Sequence, residues 1–486
     1  MKVLFTHSYF LYFDPKQWQQ SKPYPPLATL VAAAFARQNG HEVQFYDVSF
    51  QKSAQCIVDA LATFQPDVLV IYDDGFNYLT KMCLTNMREA AFEMTNEAVH
   101  RNVKVIISSS DSTDHAADYL NKGAFAVMLG EAEDTLMELL AAMEHQQPLD
   151  AIKGIAFLPV NKGTTSIALN AKRPVRTQLD ELPFAAWDLL DISPYQKAWK
   201  QHGYFSLNMA TTRGCPFKCN WCAKPIYGNR YNSRSPQQVV DELFLMQQQF
   251  HFDHIWFCDD IFGLKPGWVK AFSQALQQKG LKLSYKIQSR ADLLLEDDTI
   301  AALAETGCDE VWIGAESGSQ KVLDAMDKGT KVEQIYKATL LMKKHGIKPC
   351  FFLQLGYPGE QKEDIDLTLK MLFELMPHDI GVSVSYPLPG TVFYERVKDQ
   401  LKEKKNWSDS DDLLLMYQST FSPAYYKQLH RYIHKQFRAR QSIQHLRFAT
   451  KGKVVSLKNA FSFLYFFPAS LRDKFKLRQL EKYAES

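Results

Sequence analysis

Residues 212–222 read Thr212-Arg-Gly-Cys215-Pro-Phe-Lys-Cys219-Asn-Trp-Cys222, which places three cysteines within eight positions. The segment begins at the end of an apolar run, Leu207–Thr212, which predicts a β-strand, so the cysteines belong to the loop at that strand's carboxyl end. Thiolates are soft ligands for iron. Three of them on one loop can hold three irons of a four-iron cluster and leave the fourth iron open. An open iron can chelate a substrate or cosubstrate and pass it an electron.

Two other metal sites are compatible with clustered thiolates. A structural zinc site takes four protein ligands, usually from paired knuckles, and the sequence has no second cysteine pair of that kind; His202 or His251 would have to complete it. A ferredoxin-type carrier would place a fourth cysteine close by, and none follows Cys222 at that spacing. The remaining cysteines are scattered, and we expect them to be small buried side chains: Cys56, Cys83, Cys258, Cys308 and Cys350.

The composition is that of an ordinary globular protein. The chain has 486 residues, of which 46% are hydrophobic and 23% charged, and a formal net charge of +2. This length suggests two or three domains. So small a net charge excludes a strong electrostatic field over the whole chain that would attract nucleic acid or a membrane. The first residues, MKVLFTHSYF, do not resemble a signal peptide, and no apolar run is long enough for a membrane span. We therefore expect a cytoplasmic protein whose clustered cysteines bind metal or do redox work.

Residues 1–150 alternate short apolar runs with helical stretches, which predicts a doubly wound parallel sheet. Such sheets bind ligands in the loops beyond the carboxyl ends of their strands. The apolar runs are Lys2–Thr6, Glu42–Val48, Asp67–Tyr72, Val103–Ser108 and Ala124–Leu129. The residues expected in the ligand loops are Tyr9, Asp73, Gly75, Ser108, Ser109, Gly130 and Glu131.

The rest of the chain divides into three predicted segments. Residues 151–205 are punctuated by prolines and predict a linker with some local strand content. Residues 206–403 contain six further strand–helix units, which suffice for a partial (β/α)6 barrel whose chemistry lies at the strands' carboxyl ends. Residues 404–486 predict a helical extension. From Tyr425 onward this extension has 14 Lys and Arg against 3 Asp and Glu, interleaved with aromatic residues.

Two interpretations of the basic extension stay open. One is a solvated helical tail that covers the barrel, and the other is a surface that lies against anionic lipid and makes a peripheral membrane contact. No nucleic-acid-binding motif accompanies the positive charge, so we expect no nucleic-acid partner.

The CxxxCxxC spacing, with an aromatic residue before the last cysteine, resembles the radical S-adenosylmethionine (SAM) superfamily, and the resemblance extends over roughly residues 205–400. It implies that Cys215, Cys219 and Cys222 hold a 4Fe–4S cluster whose open iron binds SAM. One electron then cleaves SAM to methionine and a 5′-deoxyadenosyl radical. Trp221 matches the position near the adenine. The other matches follow successive strands and imply contacts with SAM: Asp259 and Asp260, Ser289 and Arg290, Glu316 with Ser317 and Gly318, and the segment Gly356–Glu360.

The domain in front of the barrel resembles that of the cobalamin-binding radical SAM class. The matching segments are Tyr24–Leu30, Asn39–Val43, Pro66–Val68 and Gly130–Glu133. The family's cobalt-ligating DxHxxG motif is absent, which implies that cobalamin is bound without a protein histidine. The family's glycine-rich segment is replaced here by Ser108-Ser109-Ser110-Asp111.

The resemblance implies methyl transfer to an unactivated carbon of a small-molecule or lipid-like substrate, with a reducing partner such as flavodoxin or ferredoxin. The alternatives are a radical SAM cyclase or oxidoreductase without methyl transfer and, more remotely, a non-enzymatic iron–sulfur or zinc protein. Cofactors carry the difficult chemistry in such enzymes, while the protein orients them and excludes water.

Overall fold

The structure is a computed structural model that describes residues 1–82, 84–159, 166–224, 226–296, 298–401, 406–410, 412–449 and 457–482. Cys83 and the side chains of Phe448 and Phe461 lie outside what it describes. The chain forms two compact units. The first comprises Met1–Pro216, Ala223–Tyr285 and Asn406–Asp412, and the second comprises Phe217–Cys222, Lys286–Lys405 and Leu413–Ser486.

A seven-stranded sheet forms the core of the first unit, in the order β2-β1-β3-β4-β5-β6-β7. Strands β1 to β5 are parallel, and β6 and β7 extend the sheet antiparallel at one edge. The strands are β1 Lys2–Thr6, β2 Glu42–Phe45, β3 Val68–Tyr72, β4 Lys104–Ser108, β5 Ala126–Met128, β6 Ile155–Phe157 and β7 Ala168–Leu169. The segment predicted as a linker thus contributes β6 and β7.

Helices cover both faces of this sheet because successive strand residues point to opposite sides. Val68 and Val70 of β3 belong to one buried cluster, and Leu69 and Ile71 belong to another. The helices of this first region are α1 Pro15–Gln20, α2 Leu27–Gln38, α3 Ile57–Phe64, α4 Tyr78–Met82, α5 Leu84–Val99, α6 Ser110–Asp114, α7 Ala116–Asn121, α8 Glu133–Glu144 and α9 Ser193–Lys200. The predicted doubly wound fold is confirmed.

A six-stranded sheet has the order β15-β14-β13-β12-β11-β8, and its registered pairs are parallel. Its strands are β8 Ser206–Met209, β11 His254–Phe257, β12 Tyr285–Ser289, β13 Cys308–Glu316, β14 Lys348–Leu355 and β15 Asp379–Val384. Between β8 and β11, two short strands, β9 Thr212–Arg213 and β10 Asn232–Ser233, form an antiparallel pair. The six sheet strands match the six predicted units, so the partial barrel is confirmed.

The remaining helices follow the strands of the partial barrel and then form the C-terminal extension. They are α10 Pro236–Phe250, α11 Trp268–Lys279, α12 Thr299–Glu305, α13 Gln320–Ala325, α14 Val332–Lys344, α15 Lys362–Leu375, α16 Val392–Val397, α17 Pro423–Ala449 and α18 Leu457–Lys482. Pro236 and Ser235 explain the start of α10, because proline suits the first helical turn and the serine hydroxyl accepts from the Gln238 backbone N–H.

Among the described residues, no helix is both long and apolar enough to span a membrane.

Candidate functional site

A buried carboxylate holds the residues that lead into the cysteine loop. We call these residues, 211–213, the stem of the loop. Asp259 follows β11, and its Oδ1 accepts the backbone N–H groups of Thr211 and Thr212 at 2.7 Å each, while its Oδ2 accepts the Thr211 hydroxyl at 2.7 Å. Burial raises the pKa of Asp259 to about 6. Both oxygens of this predicted SAM contact are therefore engaged with the stem, whereas the neighbouring Asp260 is exposed.

Arg290 lies beside the second cysteine. Its guanidinium donates to Cys219 Sγ at 4.0 Å and stacks over the Phe217 ring with its carbon 3.8 Å from the ring centroid. Asp292 and Thr330 fix the same guanidinium, each at 3.0 Å from Nη2. Arg290 is therefore held in one position beside Cys219 by contacts with three other side chains.

The backbone between the second and third cysteines is anchored through Asn220. Its side-chain amide donates to the carbonyl of Ala325 and to Asp327 at 2.8 Å each, and its oxygen accepts the Tyr357 hydroxyl at 2.7 Å. The next residue, Trp221, has a buried indole N–H without a hydrogen-bond partner among the residues described. A buried donor of this kind suits an acceptor on a ligand, and Trp221 is the residue predicted to lie near the adenine.

Glu316 ends β13 in a strained conformation. Its φ is +56°, in the left-handed region, and the register of β13 on β14 shifts between Gly314 and Glu316. Non-glycine residues held there cost about 1–3 kcal/mol and cluster at functional sites. A Cβ on Gly314 would lie 2.7 Å from Glu316 Oε1 and 2.6 Å from Lys328 Nζ. Only glycine therefore leaves room for this carboxylate and its partner.

Lys328 is that partner, and the sequence did not reveal it. Its Nζ donates to Glu316 Oε1 at 2.8 Å, and both side chains are buried. Burial lowers the pKa of Lys328, but the charges of Glu316 and Cys219 outweigh it and hold the pKa above its ordinary value. The lysine also lies 6.0 Å from the centroid of the Trp221 ring. It joins Arg290 as a second cation beside the cysteine loop.

The other predicted SAM contacts of the barrel are engaged in packing. The Ser317 hydroxyl and the Gly318 N–H both bond to Thr368 Oγ1, at 3.0 and 2.9 Å. A Cβ on Gly318 would collide with the carbonyl of Leu367. Ser289 is buried at the end of β12. These residues shape the edge around Glu316.

Glu360 is a buried acid in the predicted segment Gly356–Glu360. Its Oε2 accepts the Gly356 N–H at 2.6 Å, and its Oε1 has no partner within the described ranges. Burial raises the pKa of Glu360 to about 8, and the nearby charge of Asp364 adds to that effect. At neutral pH this carboxyl is therefore largely protonated and can donate a hydrogen bond.

A second polar site lies at the carboxyl ends of β3 and β4. A small pocket is lined by Asp73, Asp74, Gly75, Thr80, Leu84, Met87, Ser109, Ser110 and Asp111. Burial raises the pKa values of Asp73 and Asp74 to about 6 each. Asp74 Oδ2 has no hydrogen-bond partner among the described groups. Hydroxyl and carboxyl oxygens in this position suit the amide N–H groups of a cobalamin, so the lining fits the expected ligand.

Several residues predicted for this ligand lie outside the pocket lining. Tyr9 is half-buried, Ser108 is buried at the end of β4, and Gly130 donates to Thr113 at 3.4 Å. Glu131 is bonded to Arg213 and to the backbone of Arg176.

The ring nitrogens of His7 are both engaged. Its Nε2 is 3.0 Å from Asp47 Oδ1, and its Nδ1 accepts the Tyr9 N–H at 3.3 Å. This buried histidine just after β1 is thus committed to protein partners.

The three cysteines differ in exposure: Cys215 is buried, and Cys219 and Cys222 are half-buried. Within the described chain, no three His, Cys, Asp or Glu side chains form a group that could hold a single metal ion. In a four-iron cluster each thiolate binds a different iron, so convergence on one point is not required.

Two family models match the chain. The model of the radical SAM superfamily matches residues 209–372, and the model of the B12 binding domain matches residues 21–140. The chain is a radical SAM enzyme with a B12-binding domain. The cofactor set predicted from the sequence agrees with these two domains, and the prediction of an enzyme is confirmed.

Similar proteins include both methyltransferases and cyclases by name. An uncharacterized methyltransferase of Pyrococcus horikoshii is 26% identical over 390 residues, which cover 79% of this chain and 81% of that protein. The anaerobic magnesium-protoporphyrin IX monomethyl ester cyclase of Rubrivivax gelatinosus is 22% identical over 415 residues, covering 83% and 71%. The solved structure of the cobalamin-dependent SAM radical enzyme OxsB, with aqua-cobalamin and SAM bound, superposes with a TM-score of 0.73. It is 16% identical and covers 98% of this chain and 72% of its own, which establishes the shared fold.

Replacing Lys328 with Met tests the buried pair with Glu316. Removing one partner of a buried pair leaves an uncompensated charge, and we expect the free energy of unfolding to fall by about 3–5 kcal/mol. Chemical denaturation measures this loss. Glu316→Gln in the same chain should recover part of it, because the stranded charge is then gone. Lys435→Met is the control: its pair with Asp473 spans 2.6 Å, but the lysine is 31% exposed, and about 1 kcal/mol or less should be lost. Equal losses would contradict this interpretation.

Glu360→Gln tests the raised pKa of Glu360. Because the folded-state pKa of about 8 lies above the ordinary pKa of 4.5 for a glutamate, the folded chain holds a proton that the unfolded chain releases between these values. The stability contributed by this carboxyl is complete below pH 4.5 and is lost as the pH rises towards 8, by up to about 1.4 kcal/mol per pH unit. The variant should lack this decline in denaturation curves across the window, whereas Glu363→Gln, at an exposed position, should keep it. A wild-type slope in Glu360→Gln would refute the assignment.

Proposed function

We propose that this protein is a cobalamin-dependent radical SAM enzyme that transfers a methyl group to an unactivated carbon. The observation that carries the proposal is the combination, in one chain, of the cysteine loop flanked by Arg290 and Lys328 with a polar pocket in the B12-binding domain. The similarity to a protein named as a methyltransferase over 79% of the chain supports it.

Cys215, Cys219 and Cys222 would hold the cluster, and the pocket beside Asp74 and Ser110 would hold part of the cobalamin. When bound, the cluster and SAM supply a 5′-deoxyadenosyl radical that abstracts hydrogen, and the cobalamin supplies the methyl group. The chain's own residues hold and orient these groups.

In this proposal, different side chains bind different groups of SAM. Arg290 is a fixed cation for a carboxylate, Trp221 offers a buried N–H, and Glu316 is a pre-positioned acceptor for hydroxyl or amino groups. Glu360, protonated at neutral pH, supplies a further donor on the segment predicted to lie near the adenine. Because these groups are buried and held by other side chains, little reorganisation is needed when the ligand binds.

A radical SAM cyclase is the second candidate. The similarity to a cyclase over 83% of the chain favours it, and that chemistry would use the same cysteine loop without transferring a methyl group. The identity of the product therefore separates the two candidates.

The proposal is tested first by cofactor content and then by product. After anaerobic purification with cobalamin supplied, we expect about four irons per chain and one corrinoid on the same sample. SAM should be cleaved to 5′-deoxyadenosine, and the methyl label of SAM should appear in the product. Cys219→Ala should abolish SAM cleavage because it removes a cluster ligand, whereas Cys350→Ala, at a buried cysteine on β14, should retain it. Four irons with no corrinoid and no labelled product would reject methyl transfer.

We also propose that α18 contacts an anionic membrane surface, which would bring a lipid-like substrate within reach. Its inner face packs on α17, where Ser470 bonds to Gln436 at 2.8 Å and Asp473 pairs with Lys435. Its opposite face exposes an apolar stripe at helical spacing: Leu464 (66%), Tyr465 (67%), Phe467 (38%), Leu471 (52%) and Phe475 (64%). The exposed Arg472, Lys474, Lys476 and Arg478 flank this stripe. Apolar and cationic side chains together fit a lipid interface.

The double change Leu471→Asp with Phe475→Asp tests that contact. It removes apolar area and adds repulsion, so co-sedimentation with vesicles containing phosphatidylglycerol should fall well below that of the wild type, with the fold intact by circular dichroism. Leu340→Asp is the control, because this leucine on α14 is similarly exposed at 59% but lies outside the stripe. Wild-type sedimentation of the double variant, or no preference of the wild type for anionic over neutral vesicles, would refute the proposal.

A further inference from the structure

Arg213 is the last residue of β9 and stands two positions before Cys215. It is 6% exposed. The next residue, Gly214, has a φ of +79°, and a Cβ there would collide with the carbonyl of Arg230. The path of the chain into the first cysteine is therefore narrowly constrained, and the side chain of Arg213 is its nearest fixed anchor.

Two glutamates from the B12-binding domain hold that side chain. Arg213 Nη1 donates to Glu131 Oε1, and Nη2 donates to Glu133 Oε1 at 2.6 Å. Glu131 precedes α8 and Glu133 is its first residue; their side chains are 7% and 2% exposed. Each of the two nitrogens at the end of the guanidinium is thus paired with a different carboxylate, so the planar group bridges the two glutamates.

Aromatic rings complete the enclosure. The guanidinium carbon lies 5.2 Å from the centroid of the Tyr227 ring and 5.7 Å from that of Phe76. The two rings stack on each other with centroids 5.3 Å apart. A cation in this setting is held by carboxylates and by ring faces at once, and it is shielded from water. Its position is therefore set by these groups and not by solvent.

We propose that Glu131 and Glu133 are positioning residues for the cluster, which fix the stem of the cysteine loop through Arg213. The inference rests on the proposed function in one respect, namely that Cys215, Cys219 and Cys222 hold the cluster. It assigns the glutamates of the Gly130–Glu133 segment to the iron site, although they belong to the region matched by the B12 binding domain. Asp259 holds Thr211 and Thr212 of the same stem, so carboxylates from two sources fix three consecutive residues.

The test uses Glu133→Gln and Arg213→Lys in the full chain. Glutamine keeps the size of the side chain but removes its charge, and lysine keeps the charge but loses the two-pronged geometry. Loss of a residue that orients a metal ligand typically weakens metal binding on the order of 10- to 100-fold. We expect less iron per chain when iron is limiting in anaerobic reconstitution and an altered electron paramagnetic resonance spectrum of the reduced cluster. Corrinoid content and circular dichroism should stay as in the wild type.

Asp473→Asn is the matched control, because it removes one carboxylate, also buried, from an ion pair remote in sequence from the cysteine loop. It should retain the wild-type iron content and spectrum. Full iron content with an unchanged spectrum in both Glu133→Gln and Arg213→Lys would overturn the inference. Loss of corrinoid with iron retained would also overturn it, because the glutamates would then serve the cobalamin. A wild-type chain that takes up no iron would reject the proposed function itself, which distinguishes the two failures.

Discussion

A charged group removed from water must be paired, and this constraint shapes both sites. An ion buried without a partner is destabilised by several kcal/mol, so each buried cation beside the cysteine loop has its own carboxylate: Arg213 has Glu131 and Glu133, Arg290 has Asp292, and Lys328 has Glu316. Because the partners come from loops at strand ends, the pairing also fixes those loops. The geometry of the cysteine loop depends on this network, since Arg213 precedes the first cysteine and Arg290 contacts Cys219.

The parallel strands place these groups within reach of one another. Loops that follow parallel strands lie at the same edge of a sheet, which explains why residues far apart in sequence, such as Glu316 and Lys328 or Asp259 and Thr211, become partners. In each sheet the strands supply most of the packing, and the paired charged groups described above lie at strand ends or in the segments that follow them. Function is thus concentrated where the backbone is least regular, at the bulge before Glu316 and the tight turn at Gly214.

Much of this arrangement was predictable from the sequence, because it follows from local patterns. The alternation of apolar runs with helical stretches predicted both sheets; the run Lys2–Thr6 coincides with β1, and the run Val103–Ser108 contains β4. Of the residues predicted for the ligand loops, Asp73, Gly75 and Ser109 line the pocket. What could not be predicted was pairing across the fold. Nothing in the sequence around Lys328 distinguishes it from a surface lysine, and Arg213 became significant only once its two glutamates were located. The sequence predicts only some local strand content in the region of β6 and β7, because these strands are too short to show a period.

The pocket beside β3 and β4 has a thermodynamic consequence through Asp73 and Asp74, whose pKa values lie at about 6. Near neutral pH these carboxyls are close to their titration range, so a ligand whose N–H groups bond to their ionised oxygens displaces protons into the solvent. The affinity of the pocket for such a ligand then depends on the pH. The measured enthalpy of binding would include the enthalpy with which the buffer takes up these protons. Measuring the binding enthalpy in buffers of different ionisation enthalpy would therefore give the number of protons released for each ligand molecule bound.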